Sequence, residues 1–297
     1  MSSDESHHVT QKKRVVAGVF SRAAPTYDRV GPRFFSHFGH RLVELAQIPK
    51  GARVLDVATG KGAVLFPAAD AVGPLGHVTG VDLSQAMVDE IAEEISRQKL
   101  MNVEVRQMDA EYLQFPDASF DCILCGFAIF FFPQLDRAIS EMRRVLRPNG
   151  RIAITTWDRL LDEEWKWFSE LVKAHLPPEP ETKQTPESQS PPPPVLDRPD
   201  GLEMIMKAAG FADAQVISET AEFVYTSEEV WWSALWSHGT RASMEKVEKA
   251  IGSNGLNRFK ADVFERLGSV KQSDGIHELF PVLFTLVLKP GLERVHA

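Results

Sequence analysis

The chain has 297 residues, of which 43% are hydrophobic and 25% are charged, a composition typical of a globular protein that can bury a large core. Its formal net charge of −8 argues against nucleic acid as a partner, because phosphate backbones are bound by clustered lysine and arginine side chains. No apolar run approaches the roughly 20 residues of a membrane span and the N-terminus is polar, so we expect a cytoplasmic protein with no integral membrane segment.

The first 50 residues contain apolar side chains at helical spacing. Residues 1–9 are mostly polar, and we expect them to be disordered. Apolar residues then recur at helical intervals over residues 10–46, and the segment 24–32, which contains prolines and a glycine, divides this stretch into at least two helices. The basic run at residues 12–14 is interpreted as a solvated helix face.

Strand-like and helix-like segments alternate regularly from residue 53 onward. Strands are predicted at residues 53–58, 77–82, 102–107, 120–126 and 151–157, and helices at 62–72, 84–98 and 133–146, with Ser84 as an N-cap. The predicted strands are apolar nearly throughout, which indicates a parallel sheet covered by helices on both faces. We therefore predict an α/β fold with a doubly wound, mostly parallel, Rossmann-like sheet whose ligand lies beyond the carboxyl ends of the strands.

The pattern changes after Trp157. A helix is predicted at residues 160–175, a mobile Pro-rich loop at 176–194, a second helix at 202–209 and a helical insertion at 227–268. Strand patterns at residues 214–225 and 281–288 complete a seven-stranded sheet that ends in an antiparallel pair. We divide the chain into a helical segment at 10–50, an α/β core at 51–158 and a region at 159–297 that completes the sheet.

The most informative segment is residues 54–62, which read VLDVATGKG. Apolar residues alternate with Asp56, and a turn of small residues leads into a helical pattern: Ala58, Thr59, Gly60, Lys61 and Gly62. A strand, a glycine turn and a helix start in this order let the backbone approach a nucleotide-like ligand. Asp82 ends the next predicted strand, where a carboxylate can accept hydrogen bonds from ribose hydroxyls. Together these residues predict a site for a nucleoside-containing cofactor.

The turn lacks the third glycine of the dinucleotide fingerprint G-x-G-x-x-G. Ala63, Val64 and Leu65 follow Gly62, so no glycine occupies the position that permits close packing of the helix on the strand. A nicotinamide cofactor is therefore less favoured, although an NAD(P)-dependent oxidoreductase stays an alternative.

Four segments follow one another in the order of a known set of motifs. They read VLDVATGKG at residues 54–62, GVDLSQAM at 80–87, MDAEYLQFPDASFD at 108–121 and EMRRVLRPNGRI at 141–152. They resemble the motifs of class I S-adenosylmethionine-dependent methyltransferases, in particular the group that contains the ubiquinone and menaquinone biosynthesis methyltransferases. The resemblance covers about residues 20–157 and fades where the substrate determinants of that group would lie. The chain departs from the family pattern at Ala58, where glycine is frequent.

The resemblance implies roles for residues at the ends of the second and third strands. Asp82 would bind the ribose hydroxyls of S-adenosylmethionine, and Leu83 and Met87 would flank the adenine. Asp109 would accept a hydrogen bond from the adenine amino group, and the backbone N–H of Ala110 would donate one to the ring. These five residues form the predicted adenosine end of the site.

The resemblance also implies where the methionine part and the methyl group of the cofactor lie. Asp56 would anchor the turn and bind the amino group. Small residues of the turn would approach the methionine part: Ala58, Thr59, Gly60 and Gly62. Three residues at the end of the fourth strand would border the methyl group: Cys125, Gly126 and Phe127.

The segment SRAAPTYD at residues 21–28 resembles the part of these enzymes that folds over the cofactor as a lid. We therefore expect residues 10–50 to form a helical lid, 51–158 to bind the cofactor and 159–297 to lie on the substrate side. Tyr27 is expected beside the sulfonium or the substrate, or packed at a helix junction. It is also a candidate catalytic base.

All six tryptophans lie at or after residue 157, outside the predicted cofactor half of the chain. Trp232 and Trp236 are one helical turn apart, so this segment can line a cavity for an apolar or aromatic substrate, or attach a cap to the sheet. His238 follows closely and is the second candidate base, the alternative being a structural histidine. The predicted substrate site consists of five aromatic residues: Tyr27, Phe130, Trp157, Trp232 and Trp236.

No metal site is predicted. The nine histidines show no H-x-x-x-H pair, and Cys122 and Cys125 have no second cysteine pair and are expected to be buried thiols. We predict in-line transfer of a methyl group from S-adenosylmethionine to a small molecule without a metal, leaving S-adenosylhomocysteine. A non-methylating protein that binds the cofactor is a further alternative.

Overall fold

The computed structural model describes residues 3–158, 166–176 and 195–291. Its helices are α1 (Ser3–Ala23), α2 (Phe34–Ala46), α3 (Leu65–Val72), α4 (Gln85–Gln98), α5 (Leu135–Val145), α6 (Lys166–His175), α7 (Pro199–Ala208), α8 (Glu228–Leu235) and α9 (Arg241–Val270). Its strands are β1 (Arg53–Val57), β2 (His77–Asp82), β3 (Val103–Gln107), β4 (Phe120–Gly126), β5 (Leu146–Trp157), β6 (Gln215–Tyr225) and β7 (Ile276–Leu288).

The strands form one seven-stranded sheet in the order β3-β2-β1-β4-β5-β7-β6. Strands β1 to β5 run parallel to one another, whereas β7 lies antiparallel between β5 and β6. The doubly wound, mostly parallel fold and its antiparallel end are therefore confirmed. Because the order reverses at β1 and β4, a ligand crevice is expected at the carboxyl ends of these two strands.

Several boundaries in the first half differ from those predicted, and β5 begins at Leu146 rather than at residue 151. Helix α1 begins at Ser3, so the expectation of disorder over residues 1–9 was wrong for residues 3–9. Helix α3 begins at Leu65 rather than at Gly62, because Gly62 has a φ of 82° and cannot continue a helix.

In the second half, α7 begins at Pro199 rather than at residue 202, and two larger differences follow. The predicted insertion at 227–268 consists of two helices, and Gly252 inside α9 has a non-helical φ of 66° and ψ of 173° that kinks the helix. Strand β7 begins at Ile276, before the predicted start at residue 281, because it pairs with β6 as far as Tyr225. The predicted loop at 176–194 lies outside the described residues apart from Leu176, as do residues 160–165 of the predicted helix before it.

The sheet is buried on both faces, and successive residues of its central strands alternate between two hydrophobic clusters. Val54 and Leu124 belong to one cluster, and their neighbours Leu55 and Ile123 belong to the other. This arrangement explains why the central strands β1 and β4 are apolar at most of their positions. Within the part of the chain that the structure describes, no helix is long and apolar enough to cross a bilayer.

Helix α2 lies close to the glycine turn after β1. A Cβ atom at position 39 would be 2.1 Å from the carbonyl oxygen of Ala63, so this approach requires Gly39. Phe38 is fully buried and anchors α2 on the sheet. The same helix carries Phe34 and Phe35 to the carboxyl edge of the sheet, where they line cavities described below.

Candidate active site

The turn after β1 has the backbone that its sequence predicts. Ala58, Gly60 and Gly62 have positive φ values of 56°, 54° and 82°. Ala58 takes this left-handed conformation with a side chain, which costs about 1–2 kcal/mol relative to an ordinary conformation. The N–H of Thr59 donates to the carbonyl oxygen of Val81 at 3.0 Å, which ties the turn to the neighbouring strand. The turn therefore offers its backbone to a ligand at the carboxyl edge of the sheet.

Asp56 is buried at the base of this turn. Its Oδ2 atom accepts a hydrogen bond from the hydroxyl of Thr59 at 2.6 Å, whereas Oδ1 is buried and has no hydrogen-bond partner among the described residues. Burial raises the pKa of Asp56 to about 7; the Thr59 hydrogen bond opposes this rise and the negative charge of Asp82 adds to it. A buried carboxylate oxygen without a partner indicates a place for a donor from a ligand.

Asp82 at the end of β2 holds two backbone segments. Its Oδ2 accepts from the N–H of Gly60 at 2.9 Å and its Oδ1 from the N–H of Ser84 at 2.8 Å. Burial raises the pKa of Asp82, and these backbone hydrogen bonds oppose the rise. Ser84 is the N-cap of α4, as predicted, and its hydroxyl accepts from the N–H of Met87. Met87 is buried, and Leu83 lies between Asp82 and the cap.

The loop after β3 holds Asp109 in an ion pair that the sequence reasoning missed. Asp109 Oδ2 accepts from Nζ of Lys13 at 2.7 Å, and Oδ1 accepts from the N–H of Glu111 at 2.9 Å. Lys13 also pairs with the buried carboxylate of Glu111, and Ala110 is buried between the two acids. The interpretation of residues 12–14 as a solvated helix face was therefore wrong for Lys13.

The end of β4 borders the glycine turn. Gly126 and Phe127 line a cavity against the turn, whereas the side chain of Cys125 is buried in the sheet. Cys125 and Cys122 are free, and burial raises the pKa of both thiols, so both stay protonated. Across residues 3–158, 166–176 and 195–291, no group of three or more His, Cys, Asp or Glu side chains could hold a metal ion.

Two cavities meet at the carboxyl edge of the sheet. The smaller, of about 40 Å³, lies over the glycine turn beside Asp56 and Thr155. The larger, of about 200 Å³, is lined mainly by aromatic side chains. Three rings line both cavities and form the wall between them: Tyr27, Phe35 and Phe127. We call this set the shared wall.

His238 lies among aromatic rings in the larger cavity. Its ring centroid is 5.0 Å from that of Phe34, 5.3 Å from that of Phe35 and 5.7 Å from that of Tyr27. Its Nε2 atom is buried and forms no hydrogen bond with any residue that the structure describes. Burial lowers the pKa of the imidazole to about 4, so His238 is neutral at pH 7. In the tautomer protonated at Nδ1, Nε2 can accept a proton.

Helix α8 turns a different face to this cavity than we predicted. Its segment lines the cavity at helical intervals: Trp231, Ala234, Leu235 and His238. Trp232 is instead buried against α9, where its ring centroid lies 5.9 Å from that of Phe259. Trp236 packs near the guanidinium group of Arg241. Trp232 and Trp236, which were predicted to bind the substrate, therefore do not line this cavity, because their side of the helix packs against α9. The other predicted substrate residues do line the cavity: Tyr27, Phe130 and Trp157.

The larger cavity also contains a polar corner that the sequence reasoning missed. Glu278 of β7 accepts a hydrogen bond from the indole N–H of Trp231 at 3.2 Å. Burial raises the pKa of Tyr225 well above its usual value, and the charge and hydrogen bond of Glu278 add to this rise. Residues 231, 234, 235 and 238 share one helical face, and this spacing could have indicated that Trp231 lies beside His238 in the cavity. No pattern in the sequence indicated that Glu278 lies there.

Comparison with known proteins identifies relatives. Residues 54–150 match the methyltransferase domain family. The chain is 34% identical over 250 residues to nocamycin O-methyltransferase of Saccharothrix syringae, which covers 77% of this chain and 84% of that protein. It is 39% identical over 144 residues to aklanonic acid methyltransferase of a Streptomyces species, covering 48% of this chain and 66% of that protein.

A third relative is demethylmenaquinone methyltransferase of Listeria monocytogenes, 37% identical over 146 residues, with 48% of this chain and 62% of that protein covered. The chain thus spans slightly less than two thirds of the aklanonic acid and demethylmenaquinone enzymes. Among solved structures, the YcgJ protein of Bacillus subtilis matches with a TM-score of 0.56 at 19% identity, covering 86% of this chain and 99% of that one. This likeness supports the fold.

Proposed function

Because the chain belongs to the methyltransferase family, we propose that it transfers a methyl group from S-adenosylmethionine to a small apolar or aromatic molecule. One arrangement carries the proposal. An aromatic cavity that contains a neutral histidine meets the glycine turn, and only the shared wall lies between them. A donor bound at the turn and an acceptor bound in the aromatic cavity would therefore be neighbours.

The donor atoms present at the turn suit S-adenosylmethionine. Oδ1 of Asp56 and the hydroxyl of Thr155 are buried without a hydrogen-bond partner among the described residues, and both residues line the small cavity, where an amino group can satisfy them. Each oxygen of Asp82 accepts one backbone hydrogen bond and keeps a second lone pair for a ribose hydroxyl. When bound, S-adenosylmethionine supplies a methyl carbon that its positively charged sulfur makes electrophilic.

The chain contributes alignment, exclusion of water and a proton acceptor. The rings of the larger cavity hold a flat apolar molecule and keep water away from the shared wall. His238 Nε2 accepts the proton of a hydroxyl acceptor, because the imidazole is neutral and this atom is unpaired. Burial and the charges of Asp28 and Asp82 raise the pKa of Tyr27, so its hydroxyl stays protonated and suits a hydrogen-bond donor better than a base.

We propose a quinone-like or secondary-metabolite acceptor. The relatives named for nocamycin, aklanonic acid and demethylmenaquinone support a small organic molecule. The aromatic lining of a cavity of about 200 Å³ supports an acceptor that stacks on rings. The polar corner at Glu278 offers a carboxylate to a hydroxyl or N–H group of such a molecule.

Titration calorimetry tests the cofactor. We expect S-adenosylhomocysteine to bind and NADH to give no binding heat, because the turn lacks the third glycine of a dinucleotide site. Transfer of a labelled methyl group from S-adenosylmethionine to a panel containing a naphthol, an aromatic amine and a prenylated quinol then tests the reaction. Binding of NADH alone would favour an oxidoreductase. Cofactor binding without transfer to any acceptor class would favour a binding protein.

Asp56 is expected to make cofactor affinity depend on pH. Its pKa of about 7 means that it is largely protonated below neutrality in the free protein, and it must lose this proton to pair with the ammonium group of the cofactor. S-adenosylhomocysteine affinity should therefore rise between pH 5 and pH 7, by at most about tenfold per pH unit. Calorimetry at pH 6 in buffers of different ionisation enthalpy should detect proton release.

The variant Asp56→Asn is the control for this pH dependence. It cannot ionise, so the part of the pH dependence and of the proton release that Asp56 causes should disappear. Equal affinity at pH 5 and pH 7 in the wild-type protein would show that Asp56 does not bind the amino group.

A further inference from the structure

Helix α1 is fastened to the predicted adenosine end of the site by Lys13. Its Nζ atom lies 2.7 Å from Oδ2 of Asp109 and also contacts Glu111. We propose that Lys13 is a positioning residue for the cofactor: it holds α1 against the loop after β3, and the cofactor enters and leaves when this pair opens. The inference rests on the proposed function, because it concerns the same cofactor site.

The ion pair is buried, which distinguishes it from the ordinary surface pairs of the chain. The side chain of Lys13 is 14% exposed and that of Glu111 only 1%. Exposed pairs contribute little to stability, whereas removing one partner of a buried pair leaves an uncompensated charge. The neighbours Lys12 and Arg14 are exposed. Only the middle residue of the basic run therefore bonds α1 to this loop.

One face of α1 contacts several parts of the site at once. Lys13 contacts the loop after β3. About two turns further along α1, the hydroxyl of Ser21 lies 2.9 Å from the hydroxyl of Ser84, and the N–H of Ser84 donates to Asp82. Phe20 on the same face packs 6.0 Å from Tyr27 of the shared wall, between ring centroids. A displacement of α1 at Lys13 would therefore disturb the adenosine end and the shared wall together.

Helix α1 is also connected to the cover of the glycine turn. Tyr27 lines the cavity over the turn and follows Ala23, the last residue of α1, by four residues. The N–H of Tyr27 donates to the carbonyl oxygen of Ala23 at 2.9 Å, which ties the position of Tyr27 to the helix. A cofactor that lies between the glycine turn and the loop after β3 is therefore covered by α1 and Tyr27 together, and opening of the Lys13 contact uncovers it.

The variant Lys13→Met tests this role against Lys12→Met, which removes the same charge from an exposed position one residue away. We expect Lys13→Met to lower the affinity for S-adenosylhomocysteine about tenfold and to speed its release, because α1 opens more often. Trypsin cleavage after Arg14, a site that both variants keep, should also be faster in Lys13→Met. Saturating S-adenosylhomocysteine should slow this cleavage in the wild-type protein.

Two further variants keep the test decisive if Lys13→Met is poorly stable. The double variant Lys13→Met, Glu111→Gln neutralises the more deeply buried of the two carboxylates that Lys13 pairs with, and it should still show faster cleavage and release. Lys13→Arg keeps the ion pair and should bind and resist cleavage like the wild type. The proposal would be overturned if Lys13→Met and the double variant both had wild-type affinity and wild-type cleavage rates. It would also be overturned if Lys12→Met changed affinity and cleavage as much as Lys13→Met does.

The inference and the proposed function fail in different ways. If the wild-type protein binds no S-adenosylhomocysteine, the proposed function is wrong. If it binds the ligand and loss of Lys13 changes neither affinity, release nor cleavage, the function stands and the role of Lys13 is wrong.

Discussion

Replacing Asp82 by asparagine is expected to weaken S-adenosylhomocysteine binding about 100-fold, because two ribose hydroxyls would lose a charged acceptor. The structure adds a second effect. Asp82 also accepts from the N–H groups of Gly60 and Ser84, and the single oxygen of an amide cannot replace both bonds. The free energy of unfolding should therefore fall by about 1–3 kcal/mol. Calorimetric binding and thermal unfolding measure the two effects separately.

The exposed Asp89→Asn on α4 is the matched control, because it makes the same chemical change seven positions along the chain. It should leave both affinity and stability near the wild-type values. An Asp82→Asn protein that is folded and binds S-adenosylhomocysteine with unchanged affinity would count against the ribose assignment.

Replacing His238 by asparagine is expected to lower kcat for a hydroxyl acceptor about 10²- to 10⁴-fold at pH 7, the range that a general base contributes. The reason is the buried, unpaired Nε2 of a neutral imidazole beside Tyr27 and Phe35. The deficit should shrink as pH approaches about 10, where a phenolic acceptor ionises without help. Cofactor affinity should change little, because His238 lines only the acceptor cavity of the two described.

The same variant should alter the dependence of stability on pH. The pKa of His238 is about 4 in the folded protein against 6.5 as its ordinary value, so its contribution is fully present above pH 6.5 and is lost as pH falls to about 4. The loss amounts to about 3 kcal/mol in the wild type and is absent in His238→Asn. Urea unfolding at several pH values measures this difference.

Tyr27→Phe is the control for the base assignment. It keeps the ring of the shared wall and removes only the hydroxyl, whose pKa is raised by burial. It should retain most of the wild-type kcat if His238 is the base. A full loss of transfer in Tyr27→Phe with a wild-type rate in His238→Asn would reverse the two roles.

The parts of the site that the sequence predicted are those set by local patterns. An acid, a glycine turn and a helix start are contiguous at residues 54–65, so their geometry follows from strand and turn preferences alone. Asp82 could be placed beside them because parallel neighbours end at the same edge of a sheet. Alternating strands and helices likewise sufficed to predict the sheet.

The parts that the sequence did not predict depend on contacts between distant segments. Trp232 and Trp236 share a face with each other, but which face of α8 meets the cavity depends on the packing of Phe259 from α9. Lys13 and Asp109 are 96 residues apart, and no pattern within residues 12–14 marks the middle lysine as buried. Glu278 joins the cavity only through the long pairing of β7 with β6.

The shared wall separates the proposed donor site from the proposed acceptor cavity, and different parts of the chain line the two. The glycine turn and its acids come from residues 53–111, whereas helix α8 and strands β6 and β7 supply one side of the acceptor cavity. Substitutions in these later elements can change which acceptor molecule binds, while the affinity for the methyl donor stays the same. Tyr27, Phe35 and Phe127 line both cavities, so a substitution at any of them would affect the binding of the donor and of the acceptor together. Substitutions in α8, β6 and β7 that spare His238 can therefore change the acceptor while the donor site is kept.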